Sequence, residues 1–341
     1  MAKWFSNASL NNDNSNRYKA AVIGCGKIAG GYDCFADEKW TATHAGAYRL
    51  CPKTELVSAA DVDDAALVDF GERWKIFPLY SDFQEMLEKE RPDIVSICVP
   101  VEEHLNAFRS ACEAGVRAIF LEKPVARSLD EARMMSALTE ERPVAVNYFR
   151  RWNPTLGEFK KELDEGSWGR TVRVTVHYVK DVLENASHFI DLLRWFFGEP
   201  EAVRTLRMFE GEEEENAADF EVAFTGGELV TFLHLPRPSY VFHEVNIFTE
   251  RGRVVIGQRG QSIQRFRAEE EPHYRMFRIV PTESKVIETE WRNCTLRAVE
   301  DLIECMEVGG TPACGLGDGI RSLEMCEKIL SETPPRVWAS V

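Results

Sequence analysis

A lysine standing between a glutamate and a proline, Glu122-Lys123-Pro124, directly follows the apolar run Val116 to Leu121. The run reads as a short buried strand, and the residue before a proline is steered away from helical backbone. Lys123 is therefore expected extended at a strand's carboxyl end, where its ammonium can stabilise a developing alkoxide. A plain ion pair with Glu122 is the alternative. Further on lies Ser187-His188-Phe189-Ile190-Asp191, in which Asp191 follows His188 by the three residues that share a helix face. A carboxylate there can orient the imidazole and favour its protonated form, an arrangement that suits a general base. The same spacing has a plainer meaning, because Asp in a helix's first turn stabilises the dipole and a histidine near a cap is often only packed. Asn185 or Ser187 can cap that helix, which Gly198 and Pro200 terminate.

An anion-binding turn precedes both groups. Lys19 to Gly24 is a strand-like run ending in Gly24-Cys25-Gly26-Lys27-Ile28-Ala29, of the form G-x-G-x-x-A. The first glycine makes the turn and the second lets backbone approach a pyrophosphate. A second strand, Glu55 to Ala60, ends at Asp61, where an acidic residue accepts hydrogen bonds from an adenosine ribose. Asp61 lies further from the glycines than the usual interval of about 20 residues, and an insertion from Gly30 to Thr43 accounts for the difference. A tight turn beside a solvated Asp is the bland alternative; the succession strand, glycines, helix, strand, acid weighs against it. Asp63 and Asp64 follow with no arginine, so a 2′-phosphate would meet carboxylates and NAD is expected ahead of NADP. Lys27, Ile28, Pro100, His104, Glu122 and Lys123 complete the residues expected on the cofactor side.

The elements that must position these groups alternate strand and helix from Lys19 to Asn147, the pattern of a parallel sheet covered on both faces. A doubly wound sheet of this kind binds ligands at the carboxyl edge of its strands, where both the glycine turn and Lys123 fall. From Tyr148 the composition changes. Arg150-Arg151-Trp152-Asn153-Pro154 introduces a helix, and strand candidates follow at Thr171 to Val179, Asp219 to Phe224, Leu229 to Leu235, Val241 to Thr249 and Arg253 to Ile256. Strands without intervening helices indicate a largely antiparallel sheet. Thr295 to Val308 and Ile320 to Ser331 read as closing helices, and the acidic run Glu210 to Glu215 as a solvated hairpin tip. The expected organisation is a disordered tail over 1–17, an N-terminal Rossmann-type domain over 18–147 and a C-terminal α+β domain over 148–341 with an open, largely antiparallel sheet.

Composition narrows the partners. A chain of 341 residues with 44% hydrophobic and 28% charged residues is ordinary globular material for two cores. A net charge of -15 repels polyanions, which argues against nucleic acid or an anionic membrane and for a small molecule. No run approaches the roughly 18 apolar residues of a membrane span, and the Asn- and Ser-rich start lacks the apolar core of a signal peptide. A cytoplasmic protein is expected. Nine scattered cysteines without a Cys-x-x-Cys pair, and seven histidines without metal spacing, predict reduced thiols and no metal site.

With Gly24-Cys25-Gly26, Asp61, Glu122-Lys123-Pro124 and Ser187-His188-Phe189-Ile190-Asp191 in this order, the sequence resembles the Gfo/Idh/MocA oxidoreductases over about residues 18 to 335. The resemblance extends to the Gly166-to-Gly169 turn and to Gly315-Leu316-Gly317-Asp318-Gly319 before the last helix. It implies a nucleotide-binding domain, a C-terminal domain whose open sheet forms a dimer or tetramer, and NAD-dependent redox chemistry on sugars, cyclitols and related polyols. It also implies a lysine role for Lys123, a catalytic histidine role for His188 and an acidic partner role for Asp191. Many members place an aspartate four residues before the histidine, where this chain has Glu184. Tyr148, Arg151, Trp152, Lys180 and Asn185 are candidates for the substrate side, and equally for packing at the domain junction. A few relatives hydrolyse glycosides with NAD as an internal redox aid, and at least one binds nucleotide only as a regulatory partner.

Overall fold

The computed structural model describes residues 17–33, 40–209, 216–236, 240–271, 273, 274, 276, 278–281 and 283–334. The expected tail, the acidic hairpin tip and the middle of the Gly30 to Thr43 insertion lie outside these residues.

The first half builds one parallel sheet. Strands β1 (Tyr18–Ile23), β2 (Thr54–Ala60), β3 (Leu79–Tyr80), β4 (Ile94–Ile97), β5 (Ala118–Leu121) and β6 (Val144–Val146) lie in the order β3-β2-β1-β4-β5-β6. Helices α1 (His44–Leu50), α2 (Asp64–Trp74), α3 (Phe83–Glu90), α4 (His104–Glu113) and α5 (Leu129–Thr139) connect them. Every residue of β4, β5 and β6 is buried, as a sheet covered on both faces demands. Local signals set the helix starts: the Thr43 side chain caps α1 through the Gly46 N–H, Asp63 caps α2 and Asp82 caps α3.

After α6 (Pro154–Asp164) come β7 (Thr171–Tyr178), α7 (Ser187–Phe197), β8 (Pro200–Met208), β9 (Ala218–Phe224), β10 (Leu229–His234), β11 (Glu244–Thr249), β12 (Gly252–Gly257) and β13 (Ser262–Arg267). They form an eight-stranded sheet with Ile287–Glu288 at one edge, then β13-β12-β11-β7-β10-β9-β8. All its pairings are antiparallel except β10 with β7. Burial alternates along β9 and β10: Val230 and Phe232 face a packed interior with α7, while Leu229, Thr231 and Leu233 lie half-buried on the open face. Strands β8 and β13 were not expected from sequence. At the sheet's far edge, β8 starts on a proline and carries Glu201, Arg204 and Arg207, so its pattern is that of a protected edge rather than an apolar alternation.

The last two helices tie the sheets together. α8 (Cys294–Val308) returns to the first core, where it buries Ala298, Val299, Leu302 and Ile303 and packs against α1, β5 and β6. α9 (Leu316–Ser331) begins four residues earlier than the sequence indicates. Its Gly319 lies so close to β6 that a methyl there would stand 2.4 Å from Val125 Cγ1 and 3.1 Å from Val146 Cγ2. That approach is what the Gly315-to-Gly319 stretch provides. The second sheet has a core of its own with α6 and α7, but Tyr148, Trp152 and α8, all beyond Asn147, belong to the first.

Candidate active site

The glycine turn closes β1. Gly24 has φ +92°, and a methyl on it would stand 2.7 Å from the Cys98 carbonyl carbon and the Val99 nitrogen, so only glycine fits against the end of β4. Gly26 differs: it is exposed, and nothing lies within 4 Å of the place a Cβ would take. Bare backbone facing open space is what a pyrophosphate needs. Lys27 and Ile28 begin the short π-turn Lys27–Gly31. At the end of β2, Asp61 accepts the Cys25 N–H at 2.6 Å and the Asp63 N–H at 2.8 Å. A carboxylate offers about four lone-pair positions, so Asp61 is fixed beside the turn with capacity left for ribose hydroxyls. These residues fit a dinucleotide.

At the end of β5, Glu122 and Lys123 diverge, as successive residues of extended chain do. Glu122 is buried and accepts hydrogen bonds from His44 at 2.9 Å and from Asn147 Nδ2 at 2.6 Å. His44 in turn meets Ser96 Oγ at 2.8 Å, and Tyr48 meets the same hydroxyl at 2.7 Å. Burial works to raise the Glu122 carboxyl, but the bonds from His44 and Asn147 prevail and hold it below the ordinary value. Glu122 is thus an anchor of the strand end and not the partner of Lys123, whose Nζ reaches across to the Glu184 carbonyl at 2.9 Å. Pro100 is exposed at the entry to α4. The buried ring of His104 lies between the carbonyls of Val99 and Val125, at 3.0 and 3.2 Å, and burial depresses its pKa. It pins two loops at the sheet's carboxyl edge.

α7 is entered by a π-turn, Val182–Ala186, capped by Asp181 rather than by Asn185 or Ser187. Asn185 donates to the Val179 carbonyl at 2.9 Å and Ser187 to the Leu183 carbonyl at 2.6 Å, so both side chains fasten the turn internally. Glu184 offers Lys123 its carbonyl while its carboxylate pairs with Lys180 at 2.8 Å. His188, half-buried, follows directly. Its ring lies edge-on to those of Tyr148 and Phe149, at 5.5 and 5.8 Å between centroids. Its Nδ1 is buried without a partner among the described residues. Burial first, then the charges of Lys123 and Arg150, push its pKa well below the usual histidine value.

Asp191 corrects the sequence reading. It does not meet His188; its carboxylate takes the fork of Arg151 at 2.8 and 3.0 Å and lies 3.8 Å from Arg194. A buried carboxylate gains more from a two-pronged guanidinium than from one imidazole nitrogen. Accordingly His188 is held neutral rather than protonated. Arg151 also reaches Asp318 at 3.4 Å, and Trp152 donates to Asp301 at 2.8 Å, so both belong to the junction between the cores and not to a substrate surface. Lys180 remains at the rim beside Lys123. Tyr148 is 2% exposed and contributes its ring to His188.

Two residues near His188 escaped the sequence reading. Arg150 and His243 are 5% and 6% exposed, and Arg150 Nη1 and both His243 ring nitrogens lack partners among the described residues. The Arg150-Arg151 doublet was the one available signal; nothing in the run around His243 separates it from an ordinary strand. No group of three or more His, Cys, Asp or Glu side chains among the described residues could hold a metal ion, and no helix there is long and apolar enough to cross a membrane.

Strand order and the glycine turn place the first half among dinucleotide-binding Rossmann domains. Comparison narrows this. Residues 18–149 match the Gfo/Idh/MocA model described as an oxidoreductase family NAD-binding Rossmann fold, and residues 142–338 match that family's C-terminal alpha/beta domain. The chain belongs to the Gfo/Idh/MocA oxidoreductase family. It is 28% identical over 160 residues to scyllo-inositol 2-dehydrogenase (NAD(+)) of Bacillus subtilis, covering 46% of this chain and 43% of the relative. To D-glucoside 3-dehydrogenase of Escherichia coli it is 24% identical over 168 residues, 49% of this chain and 44% of the relative. The chain spans about half the length of the curated relatives it matches. Among solved structures, levoglucosan dehydrogenase in complex with NADH superposes with a TM-score of 0.76 at 17% identity, covering 92% of this chain and 96% of that one.

Proposed function

We propose that this chain is an NAD-dependent dehydrogenase that moves a hydride between nicotinamide and a hydroxyl-bearing carbon of a sugar, cyclitol or sugar derivative. The observation that carries this reading is the meeting of Lys123, from the carboxyl end of β5, with the turn that delivers His188, through the bond from Lys123 Nζ to the Glu184 carbonyl at 2.9 Å. Gly24, Gly26 and Asp61 would hold NAD, which supplies the hydride acceptor when bound. His188, held neutral by burial and the neighbouring cations, can take the hydroxyl proton on Nε2, since Nδ1 is the nitrogen sealed in the interior. Lys123 forms no ion pair among the described residues, so its full charge is available to the alkoxide that develops as the proton leaves. Asp191 and Arg151 support α7 from behind and take no part in proton transfer. Asp61, with Asp63 and Asp64 after it, favours NAD over NADP. The open face of the eight-stranded sheet is the expected site of dimer or tetramer formation.

Purified protein and NAD, offered a panel of polyols, sugar acids and nucleotide sugars, should generate NADH with at least one of them. A panel that leaves NAD unreduced in both reaction directions would count against the reading.

A further inference from the structure

Behind His188 lies a buried cation with nothing to neutralise it. The Arg150 guanidinium sits between the rings of Phe149 and Phe189, 4.6 Å from each centroid. Its Nε and Nη2 both donate to the Arg259 carbonyl, at 3.0 and 2.5 Å, which leaves Nη1 as the unpartnered end. Phe149 also touches His188, and Phe189 stacks on His243 at 5.5 Å, so Arg150 shares one cluster of rings with both histidines and acts on each. No carboxylate pairs with Arg150 among the described residues. Asp191 is near enough for its charge to be felt, but it is shared between Arg151 and Arg194.

The loop that holds Arg150 is conformationally costly. Gln258, Arg259 and Gly260 have φ of +49°, +62° and +93°, and a methyl on Gly260 would stand 2.8 Å from Arg150 Nε. Non-glycine residues persist in this region only when the surroundings impose it, and such strain collects at ligand sites. Here it turns a carbonyl onto two arms of the guanidinium and fixes the direction of the third. Burying a charge without a partner is unfavourable unless a ligand supplies one.

We propose that the substrate of this site carries a carboxylate, bound by Arg150 Nη1 and an N–H of His243 beside the hydroxyl that His188 deprotonates. The proposal rests on the dehydrogenase reading for the hydroxyl, not for the anion. One free guanidinium nitrogen and one imidazole N–H present about three donors and a single positive charge, which matches a monoanionic carboxylate better than a phosphate dianion with three acceptor oxygens. Lys180 and Arg259 act on His243 from the exposed rim, where water screens them, so the buried charge facing the ligand stays that of Arg150.

The test measures binding and turnover separately on the NAD-loaded protein. Glucuronate and galacturonate, each against its neutral parent hexose and against glucose 6-phosphate, are titrated by calorimetry, and NADH is read in the same samples. At least one uronate should bind tenfold or more tighter than its neutral parent and than the phosphate. Arg150→Met should remove that preference. Because Arg150→Met also frees the Arg259 carbonyl, His243→Phe serves as the second variant; it keeps the ring on Phe189 and should reduce the preference severalfold. Equal affinity for acid and parent, preference for the phosphate, no uronate binding, or a preference unchanged in His243→Phe and in a folded Arg150→Met would each overturn the proposal. Uronate binding without NADH would sink the dehydrogenase reading alone, and NADH from neutral sugars at equal efficiency would sink the carboxylate alone.

Discussion

Lys123 and Arg150 are cations without an ion-pair partner among the described residues, and together with burial they determine what His188 can be. An imidazole so placed resists protonation, so the acidic limb of kcat/KM should fall below pH 6.5 rather than at the value of a free histidine. A pH–rate profile reads this directly. Replacing Lys123 with Met should lower kcat by on the order of 10²-fold or more while NAD still binds, and His188→Asn should do the same. Asp191→Asn separates the two readings of its sequence spacing. With Arg151 left only its longer contact to Asp318, while Arg194 keeps Glu199, denaturant unfolding should show a loss of about 3 kcal/mol, and the pH–rate profile of the folded enzyme should keep its shape. His243 provides a stability test with a definite sign. Its pKa is lowered to about 4, by burial first and then by Arg150. The unfolded chain, near 6.5, therefore binds more protons, and stability present above pH 6.5 is lost as pH falls toward 4. The His243→Phe variant should lose about 2 kcal/mol less than wild type between pH 7 and pH 5.

Elements bring these residues together with unequal visibility in the sequence. The glycine turn, β2 with Asp61, and the strand delivering Lys123 were legible because each is local: a fixed spacing on a strand followed by its break. The direction of Asp191 was not, since helix spacing gives neighbours on α7 but does not reveal that Arg151 approaches from another element. The same holds for Glu122, whose partners His44 and Asn147 come from two other segments. The two glycines of the turn should behave differently when altered. Gly24→Ala, with its methyl 2.7 Å from the β4 backbone and φ at +92°, should lower both melting temperature and NAD affinity. Gly26→Ala meets no protein atom within 4 Å, so melting temperature should stay near wild type while NAD affinity falls tenfold or more. Paired thermal melts and NAD titrations check this; equal loss of stability in both would mean that Gly26 is structural and does not mark the cofactor's approach.

At the scale of the molecule, the two sheets were readable from the change in alternation near Tyr148, but the return of α8 to the first core was not. An amphipathic helix shows which face it buries and not against which sheet. That return, with Gly319 seating α9 on β6, holds the Rossmann edge and α7 in one frame, so Lys123 and His188 keep their relation without a cofactor to join them. The half-exposed face with Leu229, Thr231 and Leu233 should be covered in a dimer or tetramer; light scattering that finds only monomer at micromolar concentration would speak against it. The central claim is that a hydride leaves a carbinol carbon for nicotinamide and remains there. A substrate found in the panel, prepared with deuterium at its carbon-bound positions, should yield NADH carrying one deuterium at C4, in step with oxidised product and at least 10²-fold more slowly in Lys123→Met. Product formed while the cofactor ends as unlabelled NAD, as in internal redox-assisted hydrolysis, would contradict the account.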